Sequence, residues 1–200
     1  MEKHFFLAKS KALKKWGDYG SILLNGLACD VDAEQTRLER TGPFVPPFSF
    51  PFYGGVVVTD AVKGTLETSG LRGVGDFRPV ILEKAVSVNW QEWNRKELNG
   101  LRNFPRSGEP EDYVLAGKHD PEVAIAMGKL WTWHPSIIGT VDRSTKPLRI
   151  LGISNSGLDV FRLDDLGGIS DITVNPMARQ FLTDIADEWV SFDEIPYEIS

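Results

Sequence analysis

Apolar and polar positions along this chain fall into short runs, and one succession of run, cap, amphipathic turn and run is written twice. Val56, Val57 and Val58 form a β-branched run that predicts a buried strand. Thr59 follows as a helix N-cap, Asp60 suits the positive end of a helix, and Val62, Leu66 and Leu71 supply an apolar stripe before the strand Phe77-Arg78-Pro79-Val80. Near the other end Ile172 and Val174 precede Asn175 as cap and Pro176 at the first helical position. Ala178, Phe181, Leu182 and Ile185 then lead to Val190-Ser191-Phe192-Asp193-Glu194-Ile195. The two copies differ in sequence, so the repeat is one of architecture.

The same patterns place the remaining elements. Phe5-Phe6-Leu7-Ala8 reads as a first strand, while Ile22, Leu23, Leu24 and Leu27 suit either a strand or a buried turn of helix. Residues 41–52 hold four prolines, which remove donors and fix φ, between phenylalanines too apolar to float free; an ordered crossing segment is expected. Val80, Leu82, Val86 and Val88 alternate with polar residues as a half-buried strand ending at Trp90 and Trp93. Residues 94–118 are polar and turn-rich, a long surface excursion. Asp120-Pro121-Glu122 starts a helix carrying Val123, Ala124, Met127, Leu130 and Trp131. Ile137-Ile138, residues 148–151 and residues 158–163 are further strands. The sum is an α+β fold: a mixed or antiparallel sheet with a few short helices, containing two similar strand-helix-strand units. We expect one domain over residues 1–200, its N-terminal part (about 1–93) and C-terminal part (about 119–200) joined by the polar loop 94–118.

Composition changes this picture little, and charge changes it more. Two hundred residues suffice for a sizeable core, and six Trp with eleven Phe leave some aromatic surface for a partner. No run approaches the ~20 apolar residues that span a bilayer, and residues 1–8 are too short an apolar stretch for a secretory signal, so a cytoplasmic, membrane-free protein is expected. A single cysteine, Cys29, excludes an intramolecular disulfide and a four-thiolate zinc site, and reads as a buried, inert thiol. From Leu151 onward ten carboxylates face only Arg162 and Arg179, whereas the first sixteen residues carry five lysines and one acid. A nucleic-acid binder needs a continuous cationic surface, so the acidic quarter argues for a basic protein partner, the plainer alternative being a solvated face.

Candidate chemistry is sparse. Gly70-Leu71-Arg72-Gly73-Val74-Gly75 resembles a phosphate loop in composition only, because it follows a helix and precedes a strand, the reverse of the dinucleotide fingerprint. Glu109, Glu111, Asp112, His119 and Asp120 cluster in sequence without a calcium-loop spacing, and His134 sits among tryptophans. No Gly-x-Ser-x-Gly elbow or paired-histidine motif occurs. We therefore assign no catalytic residue, no metal and no cofactor from sequence, with a hydrolase using dispersed Glu and His residues and a homodimeric interaction module as the competing readings.

Residues 39–47 (Glu39-Arg40-Thr41-Gly42-Pro43-Phe44-Val45-Pro46-Pro47), Val56-Val57-Val58-Thr59-Asp60, Leu66-Glu67-Thr68-Ser69-Gly70-Leu71-Arg72-Gly73 and Phe77-Arg78-Pro79-Val80 together resemble bacterial immunity proteins of polymorphic toxin systems. The double-CxxCG group and its relatives are the nearest comparison, over about Glu39 to Trp93, and the segment from Asp171 to Ile195 is similar to the strand-helix-strand ending of related families. With one cysteine the chain lacks the paired CxxCG motifs and the zinc they imply. The resemblance implies a non-enzymatic protein that binds a cognate toxin in the producing cell and neutralises it stoichiometrically. An acidic inhibitor gains steering toward a toxin whose active-site surface is basic. On that reading Asp187, Glu188, Trp189, Asp193 and Glu194 are the first contact residues, with Trp189 also suited to the core, and Glu109, Glu111 and Asp112 the second group.

Overall fold

The computed structural model describes residues 4–11, 17–31, 35–51, 55–88, 107–142, 144, 149–151, 153, 157–164 and 172–196. Its α+β fold is built on three sheets. A six-stranded sheet runs in the order β10 (Arg149–Leu151), β9 (Ile137–Asp142), β11 (Val160–Asp164), β12 (Ile172–Val174), β1 (Phe5–Ser10), β13 (Val190–Ile195). A four-stranded sheet is ordered β4 (Phe48–Ser49), β5 (Val56–Thr59), β8 (Leu130–His134), β6 (Asp76–Pro79), and a three-stranded one β2 (Leu27–Val31), β3 (Thr36–Gly42), β7 (Ile81–Ser87). Four described α-helices accompany them: α1 (Asp60–Glu67), α2 (Glu111–Leu115), α3 (Pro121–Met127) and α4 (Pro176–Ala186).

The architectural repeat is present and extends further than the sequence indicated. In each unit two strands joined by a helix flank a third strand antiparallel to both: β5 and β6 around β8, β12 and β13 around β1. An additional strand extends each unit in matching register, Phe48 opposite Val58 and Val160 opposite Val174. The cap N–H then donates to the carbonyl just before that added strand, Thr59 to Pro47 at 3.3 Å and Asn175 to Asp159 at 2.9 Å. Both caps work as expected, since Thr59 Oγ1 accepts from Val62 N–H and Asn175 Oδ1 from Ala178 N–H. Each helix also places a cation, one turn in, over an aromatic pair from the middle and returning strands. Lys63 Nζ lies 4.8 Å from the Trp131 ring centre and 5.7 Å from Phe77, and the Arg179 guanidinium 4.3 Å from Phe6 and 5.9 Å from Phe192. The chain order differs, because β8 follows its unit whereas β1 precedes its own.

Period-two alternation decides what each sheet buries. Val56 and Val58 with Val62, Leu66 and Trp133 meet Phe6, Ala8, Ile172, Val174, Ala178 and Leu182 in one shared core, so both helices serve the same interior. Leu66 and Leu182 are each 1% exposed, worth about 1.5–3 kcal/mol apiece relative to solvent exposure. Phe5, Leu7, Phe161, Leu163, Ile150 and Ile195 form a second cluster on the opposite face of the long sheet. There the Ile150 N–H donates to Pro196 O at 3.1 Å, linking β10 to the residue after β13, so the sheet curls until its two edges meet.

The segment after β3 is an ordered crossing, as its prolines required: it leaves the three-stranded sheet through a cis Gly42-Pro43 bond and enters the four-stranded one as β4. Residues 20–24 form a π-helical turn (Gly20–Leu24) whose last carbonyls, in buried residues, are met by buried donors. Thr41 Oγ1 donates to Leu23 O at 2.6 Å, and Arg40, fully buried, donates to Leu24 O, Thr41 O and Ser49 Oγ. Burial pushes the Arg40 pKa down to about 9, which leaves the guanidinium cationic at neutral pH.

Three expectations are corrected. The helix begun by Asp120 stops at Met127, because Gly128 adopts φ 72°, and Leu130 and Trp131 belong to strand β8 instead. The polar stretch before it holds the helix α2, with Val114 fully buried. Cys29 is exposed rather than buried. Its thiol is nonetheless raised above the ordinary value, by partial desolvation and by Glu39, which disfavours the reactive thiolate. Trp90, Trp93 and residues 94–106 lie outside the described residues.

Candidate functional site

The C-terminal carboxylates proposed as contacts lie on the α4–β13 segment, and three of them meet side chains on or beside β1. Lys9 Nζ contacts Asp193 at 2.5 Å, His4 Nδ1 lies 2.6 Å from Glu194, and Lys11 Nζ donates to the Asp187 backbone carbonyl and, at 3.3 Å, to its carboxylate. Lys9 and Lys11 thus each meet a carboxylate of the α4–β13 segment. Asp193 and Glu194, being consecutive in a strand, project to opposite faces of the sheet. Asp187 and Glu188 occupy the exposed turn after α4. The expected edge shared by an aromatic and several carboxylates does not form: Trp189 is 9% exposed and packs on Phe44 with ring centres 5.6 Å apart. Trp189 turns inward because it belongs to the shared core beside Val190.

The second group sits at the start of α2. Glu111 and Asp112 fall in its first turn, where they complement the helix dipole. Ser107 Oγ donates to the Asp112 carboxylate and accepts from Glu109 N–H, and Tyr19 Oη donates to Gly108 O at 2.6 Å. Burial, then Glu109 and Glu111, raise the Tyr19 hydroxyl pKa. At the other end of α2, Lys84 Nζ donates to Val114 O and Leu115 O, each at 3.2 Å, and pairs with Glu39. His119 Nδ1 accepts from Ala85 N–H at 3.1 Å, and Asp120 Oδ1 accepts from Glu122 and Val123 N–H as the cap of α3. The acid and histidine cluster of the sequence is thus divided between two helix starts and a strand contact. Among the described residues no three His, Cys, Asp or Glu side chains gather as a metal site requires.

What the charge pattern did not reveal is apolar. Ile125 on α3 is 80% exposed and Leu115 at the end of α2 is 58% exposed, and both helices pack on β7. Beside α3 a groove of about 370 Å³ opens between Leu82 and Val80 on one side and Lys129 and Trp131 on the other. A signal for Ile125 existed. Val123 and Met127, four apart, take the core, so an isoleucine between them stands where helical periodicity calls for a polar residue. The groove had no such signal, since two segments far apart in the chain, residues 79–82 and 128–131, build it.

No protein-family model, curated protein or solved structure matches the chain. No described helix is long and apolar enough to cross a membrane.

Proposed function

We propose that the protein is an immunity protein, a stoichiometric inhibitor that binds a cognate bacterial toxin and neutralises it by protein-protein contact. The observation that carries this reading is that Leu115 and Ile125 stand exposed on helices that also bear Glu111, Asp112 and Glu122. Large aliphatic side chains rimmed by carboxylates suit a protein partner with an apolar contact and basic surroundings. The hydrolase alternative is disfavoured by His119, whose Nδ1 is spent on a backbone N–H instead of facing a nucleophile.

The test is co-expression with the toxin encoded beside it. Growth is rescued, and the purified pair runs as a one-to-one complex in light scattering. Replacing Ile125 and Leu115 together by Asp weakens the complex at least tenfold without lowering the urea midpoint, since neither side chain supports the core. Cells that die despite co-expression, with no complex detectable, would overturn the reading.

A further inference from the structure

The groove beside α3 follows from how the chain passes between two sheets. Strand β6 pairs with β8 as far as Pro79 opposite Trp131, and Val80 N–H donates to Leu130 O at 3.0 Å. One residue later β7 begins, and from Ile81 the chain pairs with β3 in the other sheet. The sheets part at this changeover, and α3, ending at Gly128, leaves the gap uncovered. Its walls are held from behind: Leu130 and Val80 pack with Leu38 and Val57, and Leu82 with Ala85, Val123 and Met127. The shape is therefore set before any partner arrives, which lowers the cost of association. Gly128, at φ 72° and ψ −166°, occupies backbone space that other residues avoid, and a Cβ there would meet nothing within 4 Å, so the mouth stays open.

We infer that this groove receives an apolar side chain of the toxin that has a carboxylate beside it. The inference rests on the proposed inhibitory function and names the recognition element within it. Pro79, Val80, Leu82, Leu130 and Trp131 supply the apolar lining, and Lys129 is the one charged residue among the lining residues. The other cation nearby, Lys63, already pairs with Glu67 at 2.8 Å, and Asp60 is occupied by the Trp131 indole N–H at 2.8 Å. A lone exposed ammonium at the mouth of an apolar slot selects a carboxylate next to the inserted group and disfavours a cation there. A volume of about 370 Å³ lies at the small end of ligand sites, the size of one large side chain and its flanks.

The probe is the neighbouring toxin inactivated at its own catalytic centre, titrated calorimetrically. Leu82→Ser weakens binding about 30-fold, the loss typical of a central anchor contact. Lys129→Glu weakens it about tenfold, and the deficit shrinks at high salt. Lys129 is exposed, so that variant keeps its urea midpoint and reads the groove even if Leu82→Ser lowers stability. Wild-type affinity in both variants would overturn the inference and leave the inhibitory function standing. Failure of every form, wild type included, to bind the toxin would remove both. If the protein alone is a dimer that Lys129→Glu converts to monomer, the groove belongs to a second copy and the inference is lost.

Discussion

Asp159 shows how one carboxylate ties the two repeated units together. Its side chain is 2% exposed yet accepts from Arg72 N–H and guanidinium, in the turn after α1, and from Asn175 Nδ2, the cap of α4. Burial alone would raise its pKa, but these hydrogen bonds outweigh that and hold it below the ordinary 3.8. A carboxyl depressed on folding stabilises the protein above its unfolded pKa, and that contribution fades as pH falls through the folded value. Asp159→Asn should therefore cost about 2 kcal/mol at pH 7, most of it from replacing one of the two acceptor oxygens by an amide NH2 that faces a donor of Arg72 or Asn175. The variant should also lose less stability than wild type as pH is lowered below about 4. Urea titrations at pH 7 and pH 3 measure both effects. An unchanged acid limb would mean that folding does not depress the Asp159 pKa. Arg72, 64% exposed, matters more for its backbone N–H than for its screened side-chain charge.

At the scale of elements, the two helix caps carry unequal loads. Thr59 makes one cap bond, long at 3.4 Å, whereas Asn175 caps α4 at 2.9 Å and also donates to Asp159. Thr59→Ala should cost about 0.5–1 kcal/mol and Asn175→Ala about 2 kcal/mol. Combining Asn175→Ala with Asp159→Asn should cost less than the sum, as groups in one network do. Such caps were legible in the sequence because their signal is local: a cap residue, a proline and an apolar stripe lie within one turn. The end of α3 was misread for a related reason. Val123, Met127, Leu130 and Trp131 keep helical spacing straight through Gly128, and only the glycine's positive φ breaks it. The acidic site was half legible. Its charges could be counted, but the partners of Asp193 and Glu194 stand more than 180 positions away, at Lys9 and His4, and no local pattern announces such a pairing. The inward turn of Trp189 likewise depends on Phe44, and the groove depends on two distant segments meeting.

For the whole molecule, the decisive fact is where each repeated unit obtains its middle strand. The unit built by β12, α4 and β13 takes β1 from the opposite end of the chain, and the unit of β5, α1 and β6 takes β8 from beyond α3. Deleting residues 1–10 should therefore abolish cooperative unfolding in urea, since β12 and β13 would lose the strand between them. A truncated protein that still melted in a single transition would contradict this topology. On the ribosome the consequence is one of timing. β1 is made first, yet it has no neighbour until β12 exists and no second one until β13 emerges. The Phe5-Phe6-Leu7 run thus stays without its sheet neighbours while the chain between β1 and β12 is made, an interval in which chaperones can bind it.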